Sequence, residues 1–193
     1  HYPLRRQRQM CIRDRSNLMA RGFIMLDVAG LELTSADRAL LKLPSVGGVI
    51  LFSRNYDSPN QLVNLTNEIR KIQNPPLLIA VDHEGGRVQR FKEGFTELPP
   101  MRYVGRLYDI SEKDACDLAF NIGWIIGAEL RSVGVDLCFG PCVDIDWGAS
   151  EIIGNRSFHK NKHTVELLSY KYSCGLNKAG MQAVAKHFPG HGY

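Results

Sequence analysis

No apolar run in the 193 residues approaches the ~18 that a membrane-spanning helix needs, which excludes a helical span. Cysteine is sparse. Cys11, Cys116, Cys138, Cys142 and Cys174 are odd in number and irregular in spacing, in a chain large enough to bury a core without staples, so reduced thiols are expected and a disulfide framework is not. The phosphate-cradling and dinucleotide glycine patterns are missing, as is the G-x-S-x-G turn of a serine nucleophile. These absences remove whole classes of nucleotide-dependent and serine-hydrolase chemistry. Excess charge on the body is lacking too. The formal charge of +4 invites a nucleic-acid or membrane-surface reading, yet residues 1 to 21 hold six Arg against the single acid Asp14, and residues 22 to 193 carry 18 bases against 19 acids. Neither a nucleic acid nor a membrane is expected as a partner.

What remains is the composition of a globular domain, 44 % hydrophobic and 23 % charged. Residues 1–20 are a basic leader. Arg5-Arg6 is a twin-arginine pair, but the apolar stretch that a secretory signal requires does not follow it, so the leader is read as foreign to the fold, through a start at Met19 or a scar upstream of it, in preference to a functional basic tail. Residues 21–193 are read as one domain. Short apolar runs at 23–28, 48–52, 77–81, 135–139 and 182–185 alternate with helix-period segments, the pattern of strand-helix units around a parallel sheet covered on both faces. Thr34-Ser35 and Ser58-Pro59 are helix starts, and two longer helices are expected over about 111–132 and 162–178, the second stopped at Gly180. Five strands fit either an open doubly wound sheet or part of an eight-stranded barrel, and periodicity does not separate the two.

Polar residues gather where the strands end: Asp27; Arg54-Asn55; Asp82-His83-Glu84-Gly85-Gly86-Arg87; Asp144 and Asp146; Lys186-His187. Parallel α/β folds bind ligands at the carboxyl ends of their strands, so a site is expected there. The third cluster is the densest, and Arg87 and Arg90 follow it at a spacing that can turn them inward. Gly85-Gly86 signals a special backbone conformation or a close approach. His187 and His191 are four apart like a metal pair, but Pro189 and Gly190 break any helix that would present both rings on one face. Cys138-x-x-x-Cys142 has no second ligand pair. No metal and no cofactor are expected. Lys186 and His187 are read instead as hydrogen-bond donors to ligand oxygens. Arg156, in the long connection after the fourth strand, is either a solvated loop charge or a ligand clamp.

The stretches VDHEGGRVQRF (81–91) and KHFPGHG (186–192) resemble family 3 glycoside hydrolases, and more narrowly their bacterial cytoplasmic β-N-acetylhexosaminidases of peptidoglycan recycling. MLDVAG (25–30), GGVILFSRN (47–55), FGPCVD (139–144) and GNRSF (154–158) match in the same order, so the resemblance covers residues 22 to 192. It implies a TIM (β/α)8-type barrel, truncated after about the fifth strand. It also implies that Asp82, Arg90, Arg156, Lys186 and His187 hold a terminal N-acetylglucosamine of peptidoglycan-derived saccharides. His83 stands where the family often has Gln. The family mechanism is retaining, through an aspartate nucleophile and a His-Asp acid/base pair, both of which lie beyond the segment matching residue 193. No catalytic residue is therefore assigned. The expected function is that of a β-N-acetylhexosaminidase whose 193-residue part binds the sugar and is inactive alone. A β-glucosidase-like family member and a non-catalytic sugar-binding fragment are the alternatives.

Overall fold

A computed structural model describes residues 22–193, so the basic leader lies outside the described residues. Five strands form one parallel sheet: β1 (Ile24–Leu26), β2 (Val46–Leu51), β3 (Leu78–Val81), β6 (Leu137–Cys138) and β7 (Gln182–Ala183), in the spatial order β1-β2-β3-β6-β7. That order repeats the order along the chain. A doubly wound sheet reverses its strand order at a switch point, and this sheet has no reversal. The register fixes β2 against β3 over Gly48↔Leu78 to Leu51↔Val81.

The helices between the strands begin where side chains can satisfy their free N–H groups. In α1 (Ser35–Leu41) the Asp37 N–H donates to Thr34 Oγ1 at 3.1 Å while the Thr34 N–H donates to Asp37 Oδ2 at 2.9 Å, a reciprocal cap. Helix α2 (Pro59–Arg70) has Ser58 as cap and Pro at its first position. Helix α4 (Glu112–Ser132) is capped by Ser111, and α5 (Lys162–Lys178) by Asn161; Gly180, at φ +81°, ends the latter. Helix α3 (Met101–Tyr108) follows Pro99-Pro100 without a side-chain cap and is not anticipated by the apolar pattern.

The core lies between the sheet and these helices. Val49, Leu51, Ile79 and Val81 meet Leu62, Leu65 and Ile69 of α2 and Ile122, Ile126, Leu168, Tyr172 and Leu176 of α4 and α5, all buried. The expectation of strands covered on both faces holds for β2 and β3 and fails at the sheet's edges. Strand β1 is partly exposed, with Phe23 beside it open to solvent, and Gln182 of β7 is exposed. An edge strand has one neighbour and so half the cover. Strands β1, β3, β6 and β7 are also shorter than their apolar runs, whereas β2 begins two residues before its run. The Asp82-His83-Glu84-Gly85-Gly86 segment takes the special backbone conformation that its glycines signal, as part of a small antiparallel hairpin, β4 (His83–Gly85) with β5 (Val88–Gln89). Gly85 (φ +105°) and Gly86 (φ +55°) make its turn, where a Cβ would meet Pro99 and Pro100. Among the described residues no helix is long and apolar enough to cross a membrane, and Cys116, Cys138, Cys142 and Cys174 are free thiols.

Candidate functional site

Polar side chains from several strand ends converge on one carboxylate. Glu84, on the hairpin after β3, is almost fully buried, yet it holds two cations. Arg156 donates to it through Nε (2.9 Å) and Nη2 (2.8 Å), and Lys186 Nζ lies 2.5 Å from Oε1. A planar guanidinium and a carboxylate match as a two-bond fork, so the pair fixes the Arg156 orientation as well as its charge. The hydrogen bonds to Glu84 push the Arg156 pKa further up, so the fork stays charged. Lys186 Nζ also lies 2.6 Å from Asp82 Oδ1. The other Asp82 oxygen is 3.8 Å from Arg90 Nη2, too far for a hydrogen bond. That oxygen therefore keeps lone pairs for an incoming donor.

Arg156 reaches this point because its connection is held at a second place. Arg87 Nη2, three residues beyond Glu84, donates to the carbonyls of Glu151 (2.9 Å), Ile152 (2.5 Å) and Ile153 (3.3 Å), immediately before the 3-10 turn Gly154–Arg156. One hairpin thus grips the long connection through both of its charges. Arg156 is held in a buried ion pair and is not a solvated loop charge, whereas Arg87 serves the backbone.

His187 is placed by Asp144. Its Nδ1 is 2.6 Å from Asp144 Oδ2, and the Asp144 oxygens accept the backbone N–H groups of His187 (3.2 Å) and His191 (2.7 Å). Burial pushes the Asp144 carboxyl up, but these bonds and one from Cys142 Sγ outweigh it and hold the carboxyl below its usual range. His187 Nε2 faces Arg156 Nη2 at 3.3 Å. A guanidinium can only donate, so Nε2 accepts and the proton sits on Nδ1. In this geometry the outward nitrogen of His187 faces the Arg156 guanidinium as an acceptor.

Asp82, Lys186 and His187 arrive from strand ends, and Arg90 and Arg156 join them from the segments that follow the hairpin and the fourth strand of the sheet. The exposed rim is formed by Asp82, Arg90 and His187, with Glu84 beneath as a shared counter-ion. Other strand-end polar residues serve structure. Asn55 is buried and donates to the Val28 (3.0 Å) and Gly30 (2.9 Å) carbonyls, Asp27 pairs with Arg54, and Asp146 pairs with Arg102. The organising roles of Glu84 and Asp144 escape sequence reasoning, because their partners lie 72 and 43 residues away. His83 is buried against Phe91 and Phe95 with its Nδ1 unpartnered, and burial, reinforced by Arg90, lowers its pKa to about 4.

The family model for the glycosyl hydrolase family 3 N-terminal domain matches residues 20–193. A curated β-hexosaminidase of Methylobacillus flagellatus is 54 % identical over 175 residues, which are 91 % of this chain and 50 % of that protein. The crystal structure of NagZ from Neisseria gonorrhoeae in complex with N-trifluoroacetyl-D-glucosamine superposes with a TM-score of 0.89 at 47 % identity, covering 90 % of this chain and 52 % of that one. A family 3 β-N-acetylglucosaminidase from a Paenibacillus species gives 0.79 at 37 % identity, over 87 % and 32 % of the two chains. The chain spans about half the length of the curated relatives it matches. On this match, and with the strand-end residues in place, the chain belongs to glycosyl hydrolase family 3, within whose N-terminal domain its residues 20–193 fall.

Proposed function

We propose that residues 22–193 are the sugar-holding part of a retaining β-N-acetylhexosaminidase that removes terminal non-reducing N-acetylglucosamine from peptidoglycan-derived saccharides in the cytoplasm. The sheet is then an arc of a (β/α)8 barrel. Two things support the reading: the names of the relatives, and a site whose donors and acceptors are those a sugar ring needs. The observation that carries it is Asp82, with one oxygen fixed by Lys186 and the other open on the rim. A carboxylate so placed accepts from a sugar hydroxyl, while Arg90, Lys186 and Arg156 offer N–H groups to other ring substituents and so orient the anomeric carbon.

We read none of the cluster's carboxylates as a nucleophile or general acid. Asp82 is ion-paired to Lys186, Glu84 to Lys186 and Arg156, and Asp144 is buried behind His187. The 193-residue chain therefore binds the sugar and does not cleave it. Calorimetric titration with N-acetylglucosamine and with glucose tests this: saturable binding of the first, stronger than of the second, is expected, with no phenol released from a chromogenic N-acetylglucosaminide. Stronger binding of glucose would favour a β-glucosidase-like member, and turnover by the chain would refute the assignment of roles.

A further inference from the structure

One cluster at the edge of this site shares His187 with it and adds a thiol and a carboxylate that the sugar reading does not use. After β6 the chain stays extended alongside the segment that follows β7. Cys142 bridges Lys186 in parallel, the Val143 N–H donates to the Lys186 carbonyl at 2.6 Å, and the Lys186 N–H donates to the Pro141 carbonyl at 3.1 Å. Residues two apart on an extended segment share a face, so Cys142 and Asp144 both point to the side on which His187 arrives. Cys142 Sγ lies 3.3 Å from Asp144 Oδ2, His187 Nδ1 lies 2.6 Å from the same oxygen, and one ligand atom from each residue falls within 4.8 Å of the others.

We propose that Cys142, Asp144 and His187 form a three-ligand site for a thiophilic divalent cation, with zinc as the best-matched ion. The donor set is one thiolate, one imidazole and one carboxylate, a combination that suits zinc better than magnesium or calcium. A zinc ion with bonds of roughly 2.0–2.3 Å keeps tetrahedral ligands roughly 3.3–3.5 Å apart. The Cys142–Asp144 separation already has this value, and His187 Nδ1, 2.6 Å from Asp144 Oδ2, would withdraw from that oxygen to reach it. The fourth direction is open. Asp144 and His187 both line a cavity of about 490 Å³, bordered by Trp147, Phe188 and Tyr193, which gives an ion its way in and a water or ligand oxygen its place. The outer support is present as well, because the His191 N–H fixes the second Asp144 oxygen at 2.7 Å.

Charge singles out this cluster. Asp82 and Glu84 have lysine and arginine as counter-ions, whereas among the described residues Asp144 has no lysine or arginine partner, only His187. Binding balances as follows: the cation takes the Cys142 sulfur and His187 Nδ1, the thiol proton leaves to solvent, and the imidazole proton moves from Nδ1 to Nε2. Nε2–H then opposes the Arg156 N–H that it formerly accepted, so cation binding displaces Arg156 from His187.

This proposal is independent of the sugar reading, since its probe is the metal alone. Cobalt(II) is titrated into the full chain carrying Cys11→Ser, under reducing conditions. One cobalt per chain is expected, with a thiolate-to-cobalt charge-transfer band in the near ultraviolet, strong visible bands of a tetrahedral ion, and displacement of both by zinc. Cys142→Ser and Cys142→Ala are each expected to lose the charge-transfer band, and His187→Ala to weaken cobalt binding by about tenfold or more. Cys116→Ser and Cys174→Ser should change nothing. Absence of saturable cobalt binding by the folded chain, a band that survives in either Cys142 variant, or undiminished affinity in His187→Ala overturns the proposal.

Discussion

Glu84 is the residue on which the site's electrostatics turn. It is nearly inaccessible and is the shared partner of Lys186 and Arg156, themselves largely buried. Removing one member of a buried ion cluster strands the others, at a cost of about 3–5 kcal/mol. Glu84→Gln should therefore lose that much stability in urea unfolding, and a loss below about 1 kcal/mol, the scale of an exposed pair, would contradict the account. His83 gives a pH-dependent counterpart. Its folded pKa is about 4 against an ordinary 6.5, so as pH falls the unfolded chain takes up the proton first. The stability conferred by the neutral imidazole is complete above pH 6.5 and is lost progressively toward pH 4, by up to about 3 kcal/mol. His83→Gln should flatten the stability profile across that window, and an unchanged slope would place the acid sensitivity elsewhere. At this scale the sequence showed which polar residues belong to strand ends, but not what each one faces. Asp82 and Asn55 obey the same rule of position, yet one borders the site and the other ties two loops, because the difference lies in contacts made across the fold.

Among the elements, the packing of α4 on α5 depends on absent side chains. A Cβ at Gly123 would overlap the Tyr172 carbonyl oxygen, and one at Gly175 would overlap that of Phe120. Both obstacles are helix backbone, which cannot turn aside as a flexible side chain does. Gly123→Ala and Gly175→Ala should each destabilise by about 1–3 kcal/mol despite better helix propensity. Gly30→Ala, where nothing lies within 4 Å, should stay within about 0.5 kcal/mol. Thermal unfolding of the three variants checks the contrast. The helices with polar caps were legible because a cap is local chemistry: Thr34, Ser58 and Ser111 all accept the N–H bonds expected of them. Helix α3 and the β4–β5 hairpin were not, since the first starts behind two prolines with no cap and the second has only five strand residues, joined through Gly86-Arg87.

For the molecule as a whole, strand order adds what periodicity could not, a sheet without the reversal that a doubly wound sheet makes. The sheet runs in chain order, so every crossover advances one strand in the same direction and the strand ends bring residues from position 82 to position 187 to one place. The charge of +4 has no part in this, because the body that builds the site is nearly neutral. Recognition accordingly rests on a few directed hydrogen bonds, and binding should change little with salt compared with a phosphate-binding surface. The most direct test is a heteronuclear NMR titration of the chain with N-acetylglucosamine. The account predicts saturable shifts concentrated at Asp82–Arg90, Asp144, Arg156 and Lys186-His187, abolished by Asp82→Asn in a chain that remains folded. A folded chain with no saturable shifts, or with shifts confined to another surface, would contradict it.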